Sequence, residues 1–235
     1  MKSSQPTMAQ TDAGLQAKSV FAALHARATA ESSSWLARVT GTHGLLLDAI
    51  EGAEPQAQGL GRWTALCLSP HEGRFEGPLR AEPGALPFCD NSFGAVLIRH
   101  LAGAGLPIDE LANEAARVLA QHGVLLVIEC HPLSGWGSWL SARAQPPLRA
   151  IAPHHWRKAL RSAGLVTGDP LRCGAPWPST RALPHWLERL CGGAWLLAAR
   201  KCEDAMVVQR RQPLRARGIG NEQTSWLPGA HRLRG

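Results

Sequence analysis

The sequence predicts an α/β fold built around a parallel sheet, and three observations between Ala85 and Gly137 carry that prediction. Gly94 to Arg99 (GAVLIR) and Gly123 to Glu129 (GVLLVIE) are short, almost continuous apolar runs. Strands covered on both faces of a sheet have this composition. Between them Ile108, Leu111, Ala115, Val118 and Leu119 recur at helical spacing, which puts one apolar stripe on a helix. Asp109, Glu110 and Glu114 lie near its start, where carboxylates favour the positive end of the helix dipole. Strand, helix and strand in this order form a crossover that is right-handed in nearly all known cases.

Bulk properties set the class. A chain of 235 residues fits one large domain, or one domain with appendages, and is long enough to bury a core. With 45% hydrophobic and 18% charged residues, it is globular in composition. No stretch approaches the roughly 20 apolar residues that span a bilayer, and Met1 to Gly14 lacks the apolar core of a secretory signal. Cys67, Cys89, Cys130, Cys173, Cys191 and Cys202 are scattered with no C-x-x-C pair. That pattern suits reduced thiols in a cytoplasm and predicts neither a disulfide framework nor a zinc site. His154-His155 and Cys130-His131 lack a third ligand at metal spacing. Neither a G-x-S-x-G elbow nor a G-x-x-x-x-G-K-[ST] loop is present, which argues against hydrolase and nucleotide-phosphate chemistry.

In chain order, residues 1–30 read as an extension carrying a helix over Gly14 to Ala30, with Leu15, Val20, Phe21, Leu24 and Ala28 near helical spacing. Ser32 to Thr40 offers serine N-caps and a second short helix. Leu45 to Ile50 reads as a first strand, Arg62 to Ser69 as a second, and Glu72 to Pro83 as loop with a short third. After the fourth strand, the helix and the fifth strand, Pro153 to Gly164 reads as a helix closed by a C-terminal glycine. Leu165 to Arg172 would be a sixth strand, His185 to Cys191 a short helix, and Gly193 to Lys201 a closing strand. Residues 31–203 thus form the main domain, and residues 204–235 a basic tail.

The same residues resemble a known family. Leu86-Pro-Phe-Cys-Asp-Asn-Ser-Phe93 is similar to the LPF-x-DNSFD segment of class I S-adenosylmethionine-dependent methyltransferases of the type 11 kind. Glu114-Ala-Ala-Arg-Val-Leu119 followed by Gly123 resembles their E-x-x-RVL-x-PGG helix and turn, and His131-Pro-Leu-Ser-Gly-Trp-Gly137 resembles an NP-x-SLWG run of one bacterial branch. The resemblance implies a Rossmann-like, doubly wound fold: a seven-stranded, mostly parallel sheet with helices on both faces. It also implies S-adenosylmethionine as cofactor and an unidentified nucleophile as methyl acceptor.

On this resemblance, Asp48, Gly52, Cys67, Glu82 and Leu86 line the cofactor. The family's D-x-G-x-G turn corresponds to Leu47-Asp-Ala-Ile-Glu-Gly52, keeping Asp48 and Gly52 but placing Ile50 and Glu51 among the missing glycines. Cys67 stands where the family has the acid that accepts both ribose hydroxyls, and a thiol is a poor acceptor. Glu82, four residues before Leu86, stands where an acid faces the adenine amino group. His100 and His131 fall near the ends of two central strands and are the candidates for a general base toward the acceptor. Trp136 and Trp139 serve either a substrate pocket or the core.

Charge is uneven. Gln209 to Gly235 holds six arginines against Glu222, a net of +5 out of the chain's +7. Such a tail either holds nucleic acid electrostatically or is a solvated extension. Three functions follow in order of preference: a methyltransferase, the same fold without catalysis serving as an interaction or regulatory subunit, and an RNA-associated protein using its tail.

Overall fold

Eight strands join one sheet in the computed structural model, which describes residues 8–39, 41–50, 61–69, 72–143, 147–181 and 183–202. They are β1 (His43–Asp48), β2 (Arg62–Leu68), β3 (Phe75–Glu76), β4 (Phe93–Arg99), β5 (Leu119–Cys130), β6 (Leu165–Thr167), β7 (Leu171–Cys173) and β8 (Ala194–Lys201). Five helices accompany them among the described residues: α1 (Met8–Leu36), α2 (Ile108–Val118), α3 (Trp136–Arg143), α4 (Pro153–Ser162) and α5 (His185–Cys191). The strand order is β3-β2-β1-β4-β5-β8-β6, with β7 also on β8. β2, β1, β4 and β5 run parallel, whereas β8 is antiparallel to β5. Helices cover both faces, α1 against β5, β7 and β8, and the α2–α4 pair against β5, β8 and β6.

The centre of the sheet forms because its sequence is apolar on both faces. All seven residues of β4 are buried, as are the last eight of β5. Strands of that composition gain from coverage on both sides and cannot serve as a solvated edge. α2 buries Leu111, Ala112, Ala115, Ala116 and Val118, close to the stripe that the periodicity predicts. The turn expected before Gly123 is folded into β5. Phe93 faces Leu119 and Ala95 faces Val124, so the extra residues between them bulge out. His122 takes a left-handed φ of 61° there.

Three local expectations differ from the structure, each for a physical reason. α1 is one helix of 29 residues, where two were expected, and it runs unbroken across residues 30 and 31. Ser32, Ser33 and Ser34 donate their hydroxyls back to the carbonyls of Thr29, Ala30 and Glu31 at 2.7, 2.6 and 3.1 Å. A serine that bonds backward within a turn has no need to cap a new helix. The expected sixth strand is split into β6 and β7, making eight strands instead of seven. Both pieces pair with β8, but Thr167 faces Ala199 while Leu171 faces Leu196. Pro170 has no N–H to give a ladder, so the chain bulges over Gly168 to Pro170. The third difference is α3, a helix over a segment to which the sequence assigned no element.

α3 exists because Trp136 anchors it. The indole is fully buried and its Nε1 donates to the Ala175 carbonyl at 2.7 Å. Gly193 runs so close that a Cβ there would collide with that carbonyl and with the indole. Trp136 therefore belongs to the core, with Trp139 packed edge-on against it at 5.5 Å. No helix of the described residues is long and apolar enough to cross a membrane.

The motif over Leu86 to Phe93 and the helix α2 are two halves of one clamp. Glu114 accepts the Leu86 N–H at 2.9 Å. Arg117 donates to the carbonyls of Leu86 and Phe88 at 2.9 and 2.8 Å, to Asp90 at 2.7 Å, and to both oxygens of Glu114. The paired carboxylate holds Arg117 charged and keeps the Glu114 carboxyl below its ordinary range. Arg117→Ala should cost about 1–3 kcal/mol, since it leaves two loop carbonyls without their donor. A urea titration reads this loss, and Arg117→Lys should restore less than half of it because an ammonium cannot reproduce the fork.

Candidate active site

The parallel strands bring their carboxyl ends to one edge, and the order of connection reverses between β1 and β4. Ligands of open α/β sheets bind at such a switch point. Asp48 closes β1 and faces Cys67 of β2 on one side and Arg99 of β4 on the other. Two of the expected cofactor residues, Asp48 and Cys67, therefore stand side by side where the fold predicts. Cys67 is half-buried, with its Sγ 3.9 Å from the Leu68 carbonyl. Glu76 of β3 flanks it from the other side.

Asp48 is not a free acceptor at this edge. Its carboxylate meets the Arg99 guanidinium at 2.6 Å, both groups being buried, and it accepts the Ile50 N–H at 3.1 Å. Burial pushes the Asp48 carboxyl up, against the pull of Arg99 and the nearby backbone N–H groups. Sequence reasoning passed over Arg99. A cation closing an otherwise apolar strand was the available signal, because such a charge must find a partner.

The remaining expected residues divide. Leu86 is buried, and the clamp of Glu114 and Arg117 holds both its backbone groups. Glu82 lies in a short antiparallel bridge with Ala85, half-exposed, and pairs with Arg74 at 2.7 Å. The neighbouring bridge, Phe75 to Ala81, ties this loop to β3 and so to the end of β2. Gly52 lies outside the described residues.

The two histidines stand in different environments. His100 follows β4 with a left-handed φ of 56° and is 1% exposed. Its ring stacks on His25 of α1 at 5.0 Å, with Phe21 at 5.3 Å. Its Nδ1 is 3.9 Å from Glu129 Oε2 and 3.8 Å from the Cys130 sulfur. Burial, with the Arg99 charge as a smaller cause, lowers its pKa to about 3. His131 is half-buried after β5. Its Nδ1 faces two donors, the Leu133 N–H at 3.1 Å and Arg172 Nη2 at 3.4 Å. Two donors and no acceptor on Nδ1 fix the neutral ring with its proton on Nε2. Burial and then Arg172 lower the His131 pKa.

Glu129 was also missed from sequence, although it ends an apolar run as Arg99 does. It is wholly buried, and its Oε1 accepts the Ala102 N–H at 3.0 Å. Burial raises its pKa to about 8 despite the N–H groups of Ala102 and Gly103 and the Trp156 indole around it. Gly103 is required here, because a Cβ would stand 2.6 Å from the Arg149 carbonyl and 3.1 Å from Glu129 Oε2. Two buried ring nitrogens in this cluster, His25 Nε2 and His100 Nε2, have no hydrogen-bond partner. Among the described residues no group of three or more His, Cys, Asp or Glu is placed to hold a metal ion.

No family model and no curated protein matches the chain. Solved structures do match it. A chain of the complex between the Haloferax volcanii Trm112 methyltransferase activator and a methyltransferase is 18% identical with a TM-score of 0.52, covering 74% of this chain and 89% of that one. A protein of Bacillus halodurans assigned as a methyltransferase is also 18% identical, with a TM-score of 0.50, covering 73% and 98%. The strand order, the switch-point edge and these likenesses define a class I methyltransferase fold.

Proposed function

We propose that this protein is an S-adenosylmethionine-dependent methyltransferase whose cofactor lies at the carboxyl edge of β1, β2 and β4. The observation that carries this reading is the alignment of Asp48, Cys67 and Arg99 across three adjacent strand ends at the switch point. Asp48, Glu82 and the backbone around Leu86 supply acceptors for the ammonium and adenine amino groups of such a cofactor. Cys67 supplies no charged acceptor for the ribose, and Arg99 already occupies one oxygen of Asp48, so the fit is partial and affinity is weak. When bound, the cofactor provides an electrophilic methyl group. The protein's part is to orient the acceptor, exclude water and handle a proton.

His131 is the residue to orient that acceptor, because its Nε2–H is a donor on a half-exposed ring. His100, under α1 with Phe21 and His25 against it, acts on a proton only when α1 moves aside. Calorimetry tests the reading directly. S-adenosylmethionine or S-adenosylhomocysteine should bind with a Kd between about 10 µM and 1 mM, a range set by losing one or two charge-assisted hydrogen bonds. Glu82→Ala should weaken it further. No heat at millimolar cofactor would overturn it.

One observation favours a second reading, a regulatory subunit that keeps the fold without the cofactor. The buried Asp48–Arg99 pair fills by itself part of the edge that a ligand would use. The likeness to a chain of the Trm112 complex points to a protein partner under either reading. On the second reading calorimetry is silent, and a pulled-down partner survives Glu82→Ala.

A further inference from the structure

Four of the five large apolar side chains left exposed among the described residues gather around His131. They are Leu133, Trp177, Trp186 and Leu190, between 62% and 82% exposed. The fifth, Val166, pairs with Arg200 at the other end of β8. The four sit on three segments that hydrogen-bond to one another. In the loop after β5, the Leu133 N–H donates to His131 Nδ1 at 3.1 Å. Gly135 donates its N–H to the Pro176 carbonyl at 2.9 Å, which seats Trp177 beside that loop. A Cβ on Gly135 would stand 3.4 Å from the Trp177 Cβ, so the two segments touch. Arg172 ties in the third segment, the end of α5. Its Nη2 reaches His131 Nδ1 at 3.4 Å, and its Nη1 donates to the Leu190 carbonyl at 2.9 Å.

α5 is held with its apolar stripe outward. Glu188 takes the Arg27 guanidinium, and Glu31 takes His185 and Arg189, so one side of α5 is bound to α1. Trp186 and Leu190, one turn apart, share a stripe turned away from that contact. The fold has room for indoles inside, since Trp136, Trp156 and Trp195 are fully buried. Two indoles and two leucines left outside at one place make a contiguous patch, which scattered exposure does not. The charges nearby are already engaged, Arg172 by backbone carbonyls and Arg189 by Glu31. The surface therefore offers apolar area, two aromatic rings and one neutral donor, the His131 Nε2–H. Ligand sites of this composition take an apolar body and orient it by a few polar atoms. The indoles favour an aromatic body, which can stack or meet them edge-on. A second copy of the chain would use the apolar area but has no need of a donor of fixed tautomer.

We propose that the surface around His131 binds an uncharged aromatic compound bearing one hydroxyl group, whose oxygen accepts the His131 Nε2–H. This names the acceptor class for the methyl transfer proposed above, and only the role as acceptor rests on that reading. Calorimetric titration of 2-naphthol into the full chain at pH 7, without cofactor, tests the binding. The Kd should fall below about 1 mM. His131→Ala should weaken it about fivefold, the loss of one hydrogen bond. Trp177→Ser with Trp186→Ser should weaken it about tenfold or more through the lost ring contacts, and Val166→Ser should leave it unchanged. All these sites but His131 are exposed, so melting of the variants should match the wild type. Leu133→Ser with Leu190→Ser repeats the test if the tryptophan variant melts lower. Absence of binding at 2 mM 2-naphthol overturns the proposal, as does undiminished affinity in His131→Ala. A dimer in sedimentation that Trp177→Ser with Trp186→Ser turns into a monomer would reassign the patch to a second copy and also overturn it. S-adenosylhomocysteine binding without 2-naphthol binding sinks this proposal and spares the methyltransferase reading. Binding of 2-naphthol without cofactor heat supports the site and overturns its role in methyl transfer.

Discussion

Replacing Asp48 with alanine should lower stability at pH 7 by about 3–5 kcal/mol, the range for breaking one side of a buried ion pair. The reason lies at the strand ends. Asp48 and Arg99 are both nearly inaccessible to water and touch at 2.6 Å. Removing the carboxylate leaves the guanidinium charged, because arginine does not give up its proton in proteins. A double variant, Asp48→Leu with Arg99→Met, should recover most of the loss, since an apolar pair of similar volume needs no compensation for desolvation. Urea titration of the two single variants and the double one closes a thermodynamic cycle. Additive losses would show that the two groups are not coupled. The experiment also bears on function: if the cofactor uses Asp48, Asp48→Asn should abolish binding while costing less stability than alanine.

Stability should be greatest near pH 6.5, and Glu129 and the two buried histidines set that position. Glu129 has its pKa raised by burial to about 8. Between its ordinary value of 4.5 and 8, the folded protein keeps a proton that the unfolded chain has released. Its contribution is present below 4.5 and is lost as pH rises through 8. His100, lowered by burial to about 3, works in the opposite sense. Its contribution is complete above 6.5 and is lost as pH falls toward 3, because the unfolded chain binds the proton first. His25, lowered by burial and then by His100 and Arg99, adds to the same loss. From 4.5 to 6.5 the Glu129 loss opposes the His100 gain, and His25 and His131, both lowered by burial, add to the gain. Above 6.5 the histidine gains are complete and the Glu129 loss continues to 8, with the buried thiols of Cys130 and Cys173, pushed up by burial, adding to it at higher pH. Glu129→Gln should therefore gain on the wild type steadily as pH rises from 4.5 to 8, by up to about 1.36 kcal/mol per pH unit, because only the wild type releases a proton from its unfolded chain there. The amide keeps an acceptor for the Ala102 N–H and has no proton to lose. Denaturant titrations from pH 4 to 9 read the effect, and parallel curves for the two proteins would show that Glu129 ionises normally in the fold.

Much of the architecture was legible because its signals are local. The apolar runs of β4 and β5 and the stripe of α2 are periodicities that any neighbourhood would read the same way. The closing glycine of α4 is equally local, with Gly164 taking a φ of 82°. The expectations that changed depend on which group a side chain or backbone finds. Ser32 to Ser34 look like caps until their hydroxyls are seen bonding backward within α1. Leu165 to Arg172 looks like one strand until its two halves are seen pairing with separate stretches of β8 on either side of a bulge.

The candidate site divides along the same line. The sequence by itself determined that Asp48 and Cys67 end neighbouring strands, since the order of apolar segments and the family resemblance place both. It also determined that Glu114 and Arg117 share a face of one helix, three residues apart. Only the tertiary structure decided that Arg99 claims Asp48, that Glu129 lies beside His100, and that Phe21 and His25 of α1 close over His100. These are contacts between residues 29 to 79 positions apart, and no periodicity encodes them. A charged residue at the end of an apolar strand announces that it needs a partner, but electrostatics in a buried setting acts only once packing has brought the two groups within a few ångströms.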